Sequence, residues 1–575
     1  MGAVFAHHAS VAPPRSPPPQ GIGPGRFCTV PPGRGIRGEA ACLNVPVTDF
    51  DPDATPAATA LPSLDAAAQR QRAVPEAAPA GGVPYPSYDF RLDLERIRFS
   101  PYFSRLSAVT QVVPQANVGP VIHNRLTHSI KVTAVAREIA VTLAHDEGPQ
   151  GQLARQFGGV EPVVVQAAAS AHDLGHPPFG HLGEQVLDRL ARTKLGLPEG
   201  FEGNAQTFRI LVDLDTNGET DHGLNLTAAT RAAVLKYPWT RFEWRDGHTG
   251  LAPHERPRGV GDDTSLGAHK FSAYALHAEE MDAVRAAYPG LEPWQQTLEC
   301  SVMDIADDIA YSIHDLDDFY RAGVLQQAAV SAELRRWLRD QSSLREVATA
   351  ELAAHARRPG HALELVWRRI RDKDPWIADA DAYRTAVARV SDELGDGLLS
   401  IPYDGGLEAE RAMSSFARRW IDRLQKSIVV DPTPHVRGGH IRLAQQAWHD
   451  VVVLKFVHAR FVLDRPDLAT AQRGQSRVVE ALVAGFDAWL NDPADAARAP
   501  RRLVESAEAA IEDYMVLRRD RPELLSGRTD DASMVARGRG RAIIDYVASL
   551  SDSQALSVAA TISGGADIQW ENAGL

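Results

Sequence analysis

The stretch AHDLGHPPFGHLGE, residues 171–184, places His172, His176, His181, Asp173 and Glu184 among two prolines and three glycines. No regular helix or strand is punctuated this way, since proline and glycine interrupt both. The stretch therefore reads as a rigid turn between two helices. Upstream, VEPVVVQAAASAHDLGH (160–176) is almost wholly apolar and Ala-rich, the pattern of a buried helix. Downstream, Pro177 and Pro178 close the first element and GHLGE opens the next. His172 and Asp173 are neighbours, about 100° apart on a helix, so they flank one object rather than stack. Taken alone, such a pair also fits a buried imidazole bonded to its own neighbour.

The surroundings add polar groups at helical spacing. In NRLTHSIKV (124–132), His128 stands at a helix start, three residues after Arg125. In LECSVMDIADDIAYSIHDLDDFYRAG (298–323), Asp307, Tyr311 and Asp315 are four apart and share one face. Ile305, Ile309, Ile313 and Leu316 occupy the other phases. Such a stripe in so apolar a helix faces either a polar cavity or solvent. Within GHLGE, His181 and Glu184 are three apart, so the carboxylate can hold the tautomer of the imidazole and raise its basicity.

The predicted fold is mainly α. Helical patterns run from about residue 88 through segments near 325–400, 405–428, 438–463, 475–491 and 501–518. We divide the chain into a Pro/Ala/Gly-rich tail (1–85) predicted to be disordered, a helical core (86–330) that carries the polar blocks quoted above, and a helical C-terminal region (331–575). The tail offers too few periodic apolar positions to offset the entropy of ordering it. A polar, Gly- and Pro-rich stretch, 237–271, interrupts the helices at a length that marks either a disordered segment or a functional loop, such as one covering a substrate. No glycine-rich phosphate loop follows a predicted strand.

Composition narrows the classes. The chain has 575 residues, 44% hydrophobic, with 74 acidic against 61 basic side chains and a formal net charge of −13. That balance argues against a generic duplex-binding protein, which needs a basic surface. Its three cysteines, Cys28, Cys42 and Cys300, form no disulfide framework and fit a reducing compartment. There is no run of eighteen apolar residues and no secretory pattern at the start, so the expectation is a cytoplasmic protein without a membrane span.

The blocks so far, with FSPYFSRLSAVTQVV (99–113), FEGNAQTFRIL (201–211) and, more weakly, RAIIDYVASLSD (541–552), resemble the deoxyguanosine triphosphate triphosphohydrolase-like branch of the HD phosphohydrolase superfamily. They stand in the order of that family and span most of the chain after residue 88. The resemblance implies an HD-domain helical bundle. It implies that His128, His172, Asp173 and Asp307 hold one divalent ion. Asp307 is preferred to Asp308 because it is in phase with Tyr311 and Asp315. Mixed imidazole and carboxylate donors suit Mn²⁺, the first expectation, or Fe²⁺, Co²⁺, Ni²⁺ or Zn²⁺, and Mg²⁺ less well.

The resemblance further implies that His181 and Glu184 act at the reacting phosphate, His181 either protonating the leaving 5′ oxygen or activating water. Arg125 is expected to touch phosphate, with Lys236 and Lys270 as further cations. His176 is read as either a phosphate contact or a turn bond. Asn204 and Gln206 offer neutral polar groups, and Gln111, Tyr311 and Asp315 would read the deoxyribose. The expected substrates are deoxynucleoside triphosphates, cut to deoxynucleoside and inorganic triphosphate. The expected assembly is a homo-oligomer, by resemblance a hexamer, with a dNTP effector or single-stranded DNA as further partners and no membrane. Two other readings remain open: another HD nucleotide phosphohydrolase, such as a 5′-nucleotidase, or a nucleotide- or nucleic-acid-binding regulator with a vestigial site. Gln554 stands where the family block has an aromatic residue, which puts in doubt any role carried over for the C-terminal block.

Overall fold

In the computed structural model, the residues described are 65–76, 87–112, 122–218, 222–245 and 251–565. Residues up to 64, most of the expected tail, lie outside them, as do 77–86. Residues 65–76, which the composition assigns to the tail, are among those described. A short helix, Ala66–Arg70, leads to Arg72, whose guanidinium is buried against Asp93 and the carbonyl oxygen of Asn225, both at 2.6 Å. An ion pair and a carbonyl thus hold a segment that has few apolar side chains. The chain from Ala58 onward forms one compact unit.

Eight helices carry the argument. Helix α1 (Arg125–His145) starts in a capping box: Asn124 accepts from the Thr127 amide, and Thr127 Oγ1 accepts from the Asn124 amide. Helix α2 (Pro162–Ala171) has Glu161 as its N-cap and proline in its first turn. Helix α3 (His181–Thr193) follows the proline turn, and α4 (Gly203–Arg209) is capped by Glu202. Helix α5 (Leu298–Arg321) is capped by Thr297 and stops before Gly323, which has a φ of +66°. Helices α6 (Gln445–His458), α7 (Asp531–Ala548) and α8 (Asp552–Ile562) belong to the C-terminal half.

Helices α1, α2 and α5 pack on one another through Val132, Val135, Ile139, Val165, Ala168, Val302 and Ile309, within a large core that extends to both sides of residue 330. A second core joins α3 to α7, α8 and the helices between 466 and 520. The pattern 438–463, read from sequence as one helix, begins instead as a strand. β1 (Ile428–Val430) pairs antiparallel with β2 (Ile441–Leu443), and α6 starts only at Gln445. Three-residue strands are too short to show a period of two against a helical neighbour. Within 237–271, the residues described are irregular but packed: Trp239, Val260, Ala268 and Phe271 form a small core of their own with Tyr274 and Ala205. No helix among the described residues is long and apolar enough to cross a membrane.

Candidate metal centre and its cationic cavity

His172 and Asp173 lie just past the end of α2, in the turn, and not on the helix that the sequence implies. That turn is shaped by close approaches. Gly180 has a φ of +60°, and a Cβ there would lie 2.7 Å from Arg125 Nη2. A Cβ on Gly175 would meet the carbonyl oxygen of Gly203 at 2.1 Å, so only glycine lets α4 pack this closely. Phe179, a non-glycine residue at φ +64°, donates its amide to Asp552 Oδ1 at 2.8 Å. Asp552 also accepts from the Thr110 amide at 3.0 Å and from the Thr110 hydroxyl. The C-terminal block therefore fastens the turn, through contacts that do not involve Gln554, which caps the Ser551 amide.

The turn, α1 and α5 bring His128, His172 and Asp307 together, with ligand atoms within 4.8 Å of one another. Asp307 Oδ1 lies 3.1 Å from His128 Nε2 and 3.6 Å from His172 Nε2, and His172 Nε2 lies 3.5 Å from Asp173 Oδ1. An ion with bonds of about 2.1 Å sets neighbouring donors about 3.0–3.4 Å apart; the His128–Asp307 separation falls in that range and the two at His172 lie just beyond it. The Nδ1 atom of His172 faces the Ala169 carbonyl oxygen at 2.8 Å, while its Nε2 is buried without a hydrogen bond. That tautomer aims a lone pair at the centre, as a ligating imidazole requires. Burial works against charging His172, but Asp173 and Asp307 outweigh it and raise its pKa, so the carboxylates draw a cation. Asp308, one residue on, points away and pairs with Lys455 at 2.5 Å.

A row of polar groups leads from this centre. Asp173 Oδ2 accepts from Arg125 Nη1 at 2.9 Å, and Asp173 Oδ1 lies 3.0 Å from His176 Nδ1. Burial, with Arg125 next, lowers the His176 pKa to about 4, so it is neutral at pH 7. The ring of His181 stands edge-on to that of His176, with centroids 5.0 Å apart. His181 Nδ1 meets Glu184 Oε2 at 3.0 Å, while 65% of its side chain stays accessible. Lys270 bridges Glu184 (2.5 Å) and Glu202 (2.8 Å), and Glu202 accepts from Asn204 Nδ2 at 2.9 Å. Burial would raise the pKa of Glu184, but the hydrogen bond from His181 and the charge of Lys270 hold it well below the usual carboxylate range. Lys270 is thus committed to carboxylates. Gln206 binds Asp545 on α7 at 2.9 Å, a tie between helices.

Lys236 reaches Asp307 at 3.0 Å and Asp304 at 2.8 Å; burial opposes its charge, but the two carboxylates raise its pKa well above the ordinary value. It also lines a cavity of about 470 Å³. Six cationic side chains face this cavity (Lys236, Arg258, Arg369, Lys373, Arg437 and Lys455) against three acidic ones, Asp304, Asp308 and Asp374. Lys236, Lys373, Arg437 and Lys455 have carboxylate partners. Arg258 and Arg369 have no hydrogen bond or ion pair among the described residues. The sequence reading missed Arg258, Arg369 and Lys455. A cation in an otherwise apolar helix, as in VVVLKFVHARF (451–461), was the available signal for Lys455.

The expected sugar-reading residues divide. Tyr311 and Asp315 face His458 of α6, with Tyr311 Oη 2.8 Å and Asp315 Oδ2 3.2 Å from His458 Nδ1. Gln111 Oε1 is buried without a partner, and no hydrogen bond joins Gln111 to Tyr311 or Asp315 among the described residues.

The helical arrangement, the His and Asp cluster and the turn together define an HD phosphohydrolase, and residues 125–216 match the HD domain family model. Over 489 residues the chain is 30% identical to a deoxyguanosinetriphosphate triphosphohydrolase-like protein of Streptomyces coelicolor, covering 83% of this chain and 92% of that protein. A protein of the same description from Corynebacterium efficiens is 28% identical over 490 residues, covering 83% and 91%. A shorter match, 36% over 255 residues, links 42% of the chain to 48% of deoxyguanosinetriphosphate triphosphohydrolase-like protein 2 of Mesorhizobium japonicum. The chain belongs to the deoxyguanosinetriphosphate triphosphohydrolase-like family.

Proposed function

We propose that the chain hydrolyses deoxynucleoside triphosphates between the 5′ oxygen and the α-phosphorus, releasing deoxynucleoside and inorganic triphosphate. The observation that carries this reading is the cationic cavity meeting the histidine cluster at Lys236. In a protein of net charge −13, a wall with twice as many cations as carboxylates is matched to a polyanion. Helix α5 supports a two-ended substrate. Its Asp304 and Asp308 side faces the cavity, and Tyr311 and Asp315 lie one and two turns beyond Asp307.

His128, His172, Asp173 and Asp307 would hold a divalent ion, Mn²⁺ by preference for two imidazoles and two carboxylates. Such an ion supplies Lewis acidity at a phosphoryl oxygen. Arg125 contacts the phosphate through Nε and Nη2, both buried without partners. Lys236, Arg258 and Arg369 neutralise the remaining charge. His181, oriented by Glu184 and open to solvent, moves the proton, with neutral His176 beside it. Asn204 stands at the rim of this pair, Tyr311 and Asp315 take the sugar, and Gln111 offers a buried acceptor.

The direct test incubates metal-loaded protein with each of the four dNTPs and separates the products by ion exchange. Inorganic triphosphate with deoxynucleoside is the expected outcome. Deoxynucleoside monophosphate with pyrophosphate, or orthophosphate released from monophosphates, would assign a different HD hydrolase. Binding without turnover would assign a regulator.

A further inference from the structure

Helix α6 lies in the C-terminal half, 147 positions beyond Tyr311 at His458, yet it packs on α5. The His458 ring touches three successive positions of one α5 stripe. Its Nδ1 lies 2.8 Å from the Tyr311 hydroxyl and 3.2 Å from Asp315 Oδ2, and the ring stacks on Phe319 with centroids 5.5 Å apart at 15°. One turn earlier on α6, Lys455 sits 5.8 Å from the centre of the Tyr311 ring and holds Asp308. Helix α6 therefore fixes both the hydroxyl and the ring of Tyr311.

The stoichiometry of protons gives this contact a consequence. Burial lowers the His458 pKa to about 4, so the ring is neutral and carries one N–H. Burial, with Asp315 next, raises the Tyr311 pKa, so its hydroxyl keeps its proton and donates. When that hydroxyl occupies the only in-plane lone pair of Nδ1, the imidazole proton sits on Nε2, which is buried without a hydrogen-bond partner among the described residues. Nδ1 then has no proton to give Asp315 Oδ2, which is buried without a hydrogen bond. Asp315 Oδ2 is left open beside the same ring that immobilises Tyr311.

We propose that His458 is a positioning residue for sugar selection: its Nδ1 fixes the Tyr311 hydroxyl, keeps the phenol rigid against a 2′-hydroxyl and reserves Asp315 Oδ2 for a 3′-hydroxyl donor. The inference rests on the sugar-reading role given to Tyr311 and Asp315 above. Its residue-level content is the Nδ1 acceptor, which side-chain isosteres can separate. Asparagine places an amide oxygen near Nδ1, whereas glutamine places its amide near Nε2 and leaves the Nδ1 position empty.

The experiment measures kcat and KM for a dNTP and its matching NTP in the wild type, His458→Asn, His458→Gln and His458→Leu. Equilibrium dialysis of both nucleotides against chelator-treated protein supplies an affinity ratio independent of turnover. The dNTP-to-NTP ratio should fall about fivefold or more in His458→Gln and His458→Leu, the worth of one lost hydrogen bond. It should stay within about twofold of wild type in His458→Asn, a small fraction of that bond. Should His458→Leu fail to fold, the comparison of Asn with Gln still decides. An equal loss for both nucleotides in Gln and Leu, with the ratio unchanged, would make His458 a packing residue and overturn the proposal while leaving the sugar-reading assignment intact. A wild type that binds and turns over dNTP and NTP alike would overturn that assignment, and the proposal with it.

Discussion

Arg125 offers a quantitative test of the phosphate site. The residue is 1% exposed, its Nη1 is bound to Asp173, and its Nε and Nη2 have no partner among the described residues. Two buried, charged donors left open are costly unless a ligand completes them. A hydrogen bond to a charged group contributes about 1.5–3 kcal/mol, so two phosphate contacts contribute about 3–6 kcal/mol. At about 1.4 kcal/mol per factor of ten, Arg125→Ala should lower kcat/KM by roughly 10²–10⁴-fold. Arg125→Ala also unpairs Asp173, so Arg125→Lys is the sharper variant. Lysine keeps a positive charge beside Asp173 but lacks the planar fork, and should keep its metal while losing about tenfold or more. Steady-state kinetics on a dNTP, with metal content measured on the same samples, gives both numbers. A loss below tenfold in Arg125→Ala, at full metal occupancy, would refute the phosphate role and leave Arg125 as the structural partner of Asp173.

The other predictions concern the remaining groups of the row. Asp307→Ala should abolish metal binding and turnover while the helical content by circular dichroism stays unchanged, whereas Asp308→Ala should keep its metal; elemental analysis showing a full ion in Asp307→Ala would sink the ligand set. His181→Ala should keep metal and nucleotide binding but lose about 10²-fold or more in kcat, the usual contribution of general acid–base catalysis. If it instead loses metal with normal kcat per bound ion, His181 is a ligand. Glu184 has a folded pKa below its ordinary 4.5, so the stability it contributes is present above about pH 4.5 and is lost as pH falls through the folded value. The difference in melting temperature between wild type and Glu184→Gln should accordingly be largest near neutrality and shrink below pH 4.5; a difference that grows on acidification would reverse the assigned sign.

The part of the polar row that lies in the proline turn was legible because its residues are close in sequence. The turn 171–184 holds five of the ionisable groups, and the spacing 307, 311 and 315 puts a stripe on one helical face whatever the tertiary packing. The box of Asn124 with Thr127 likewise marks where the helix bearing His128 begins. What the sequence hid is the second wall. Arg258 lies in an irregular segment with no period to read, and Arg369 resembles any exposed arginine on a helix. Lys455 and His458 acquire meaning only when α6 folds onto α5, a contact that no local pattern encodes. The C-terminal block shows the opposite case. Gln554 made its role doubtful, yet Asp545 and Asp552 make the structural contacts: Asp545 binds Gln206 and Arg209, and Asp552 binds Thr110 and Phe179.

Helix α5 explains why one sequence segment can serve chemistries that need different surroundings. Asp307 and Asp308 point about 100° apart, and here they face different partners. The first turns to His128 and His172, the second to Lys455 at the cavity. Asp304, one turn before Asp307, shares Lys236 with it, so one ammonium links the cluster to the cavity wall. Beyond Asp307, positions 311, 315 and 319 return every four residues to one face and meet a single ring, His458. Position along the helix therefore sets distance from the cluster, and phase sets the partner. The cluster is assembled from α1, α5 and the proline turn, within the first 330 residues, whereas the partners of Asp308, Tyr311 and Asp315 come from α6. Changes in α6 can thus alter the surroundings of Asp308, Tyr311 and Asp315 without touching His128, His172 or Asp307, and if the proposed sugar-reading role holds, this is the physical reason to look for selectivity in the C-terminal half.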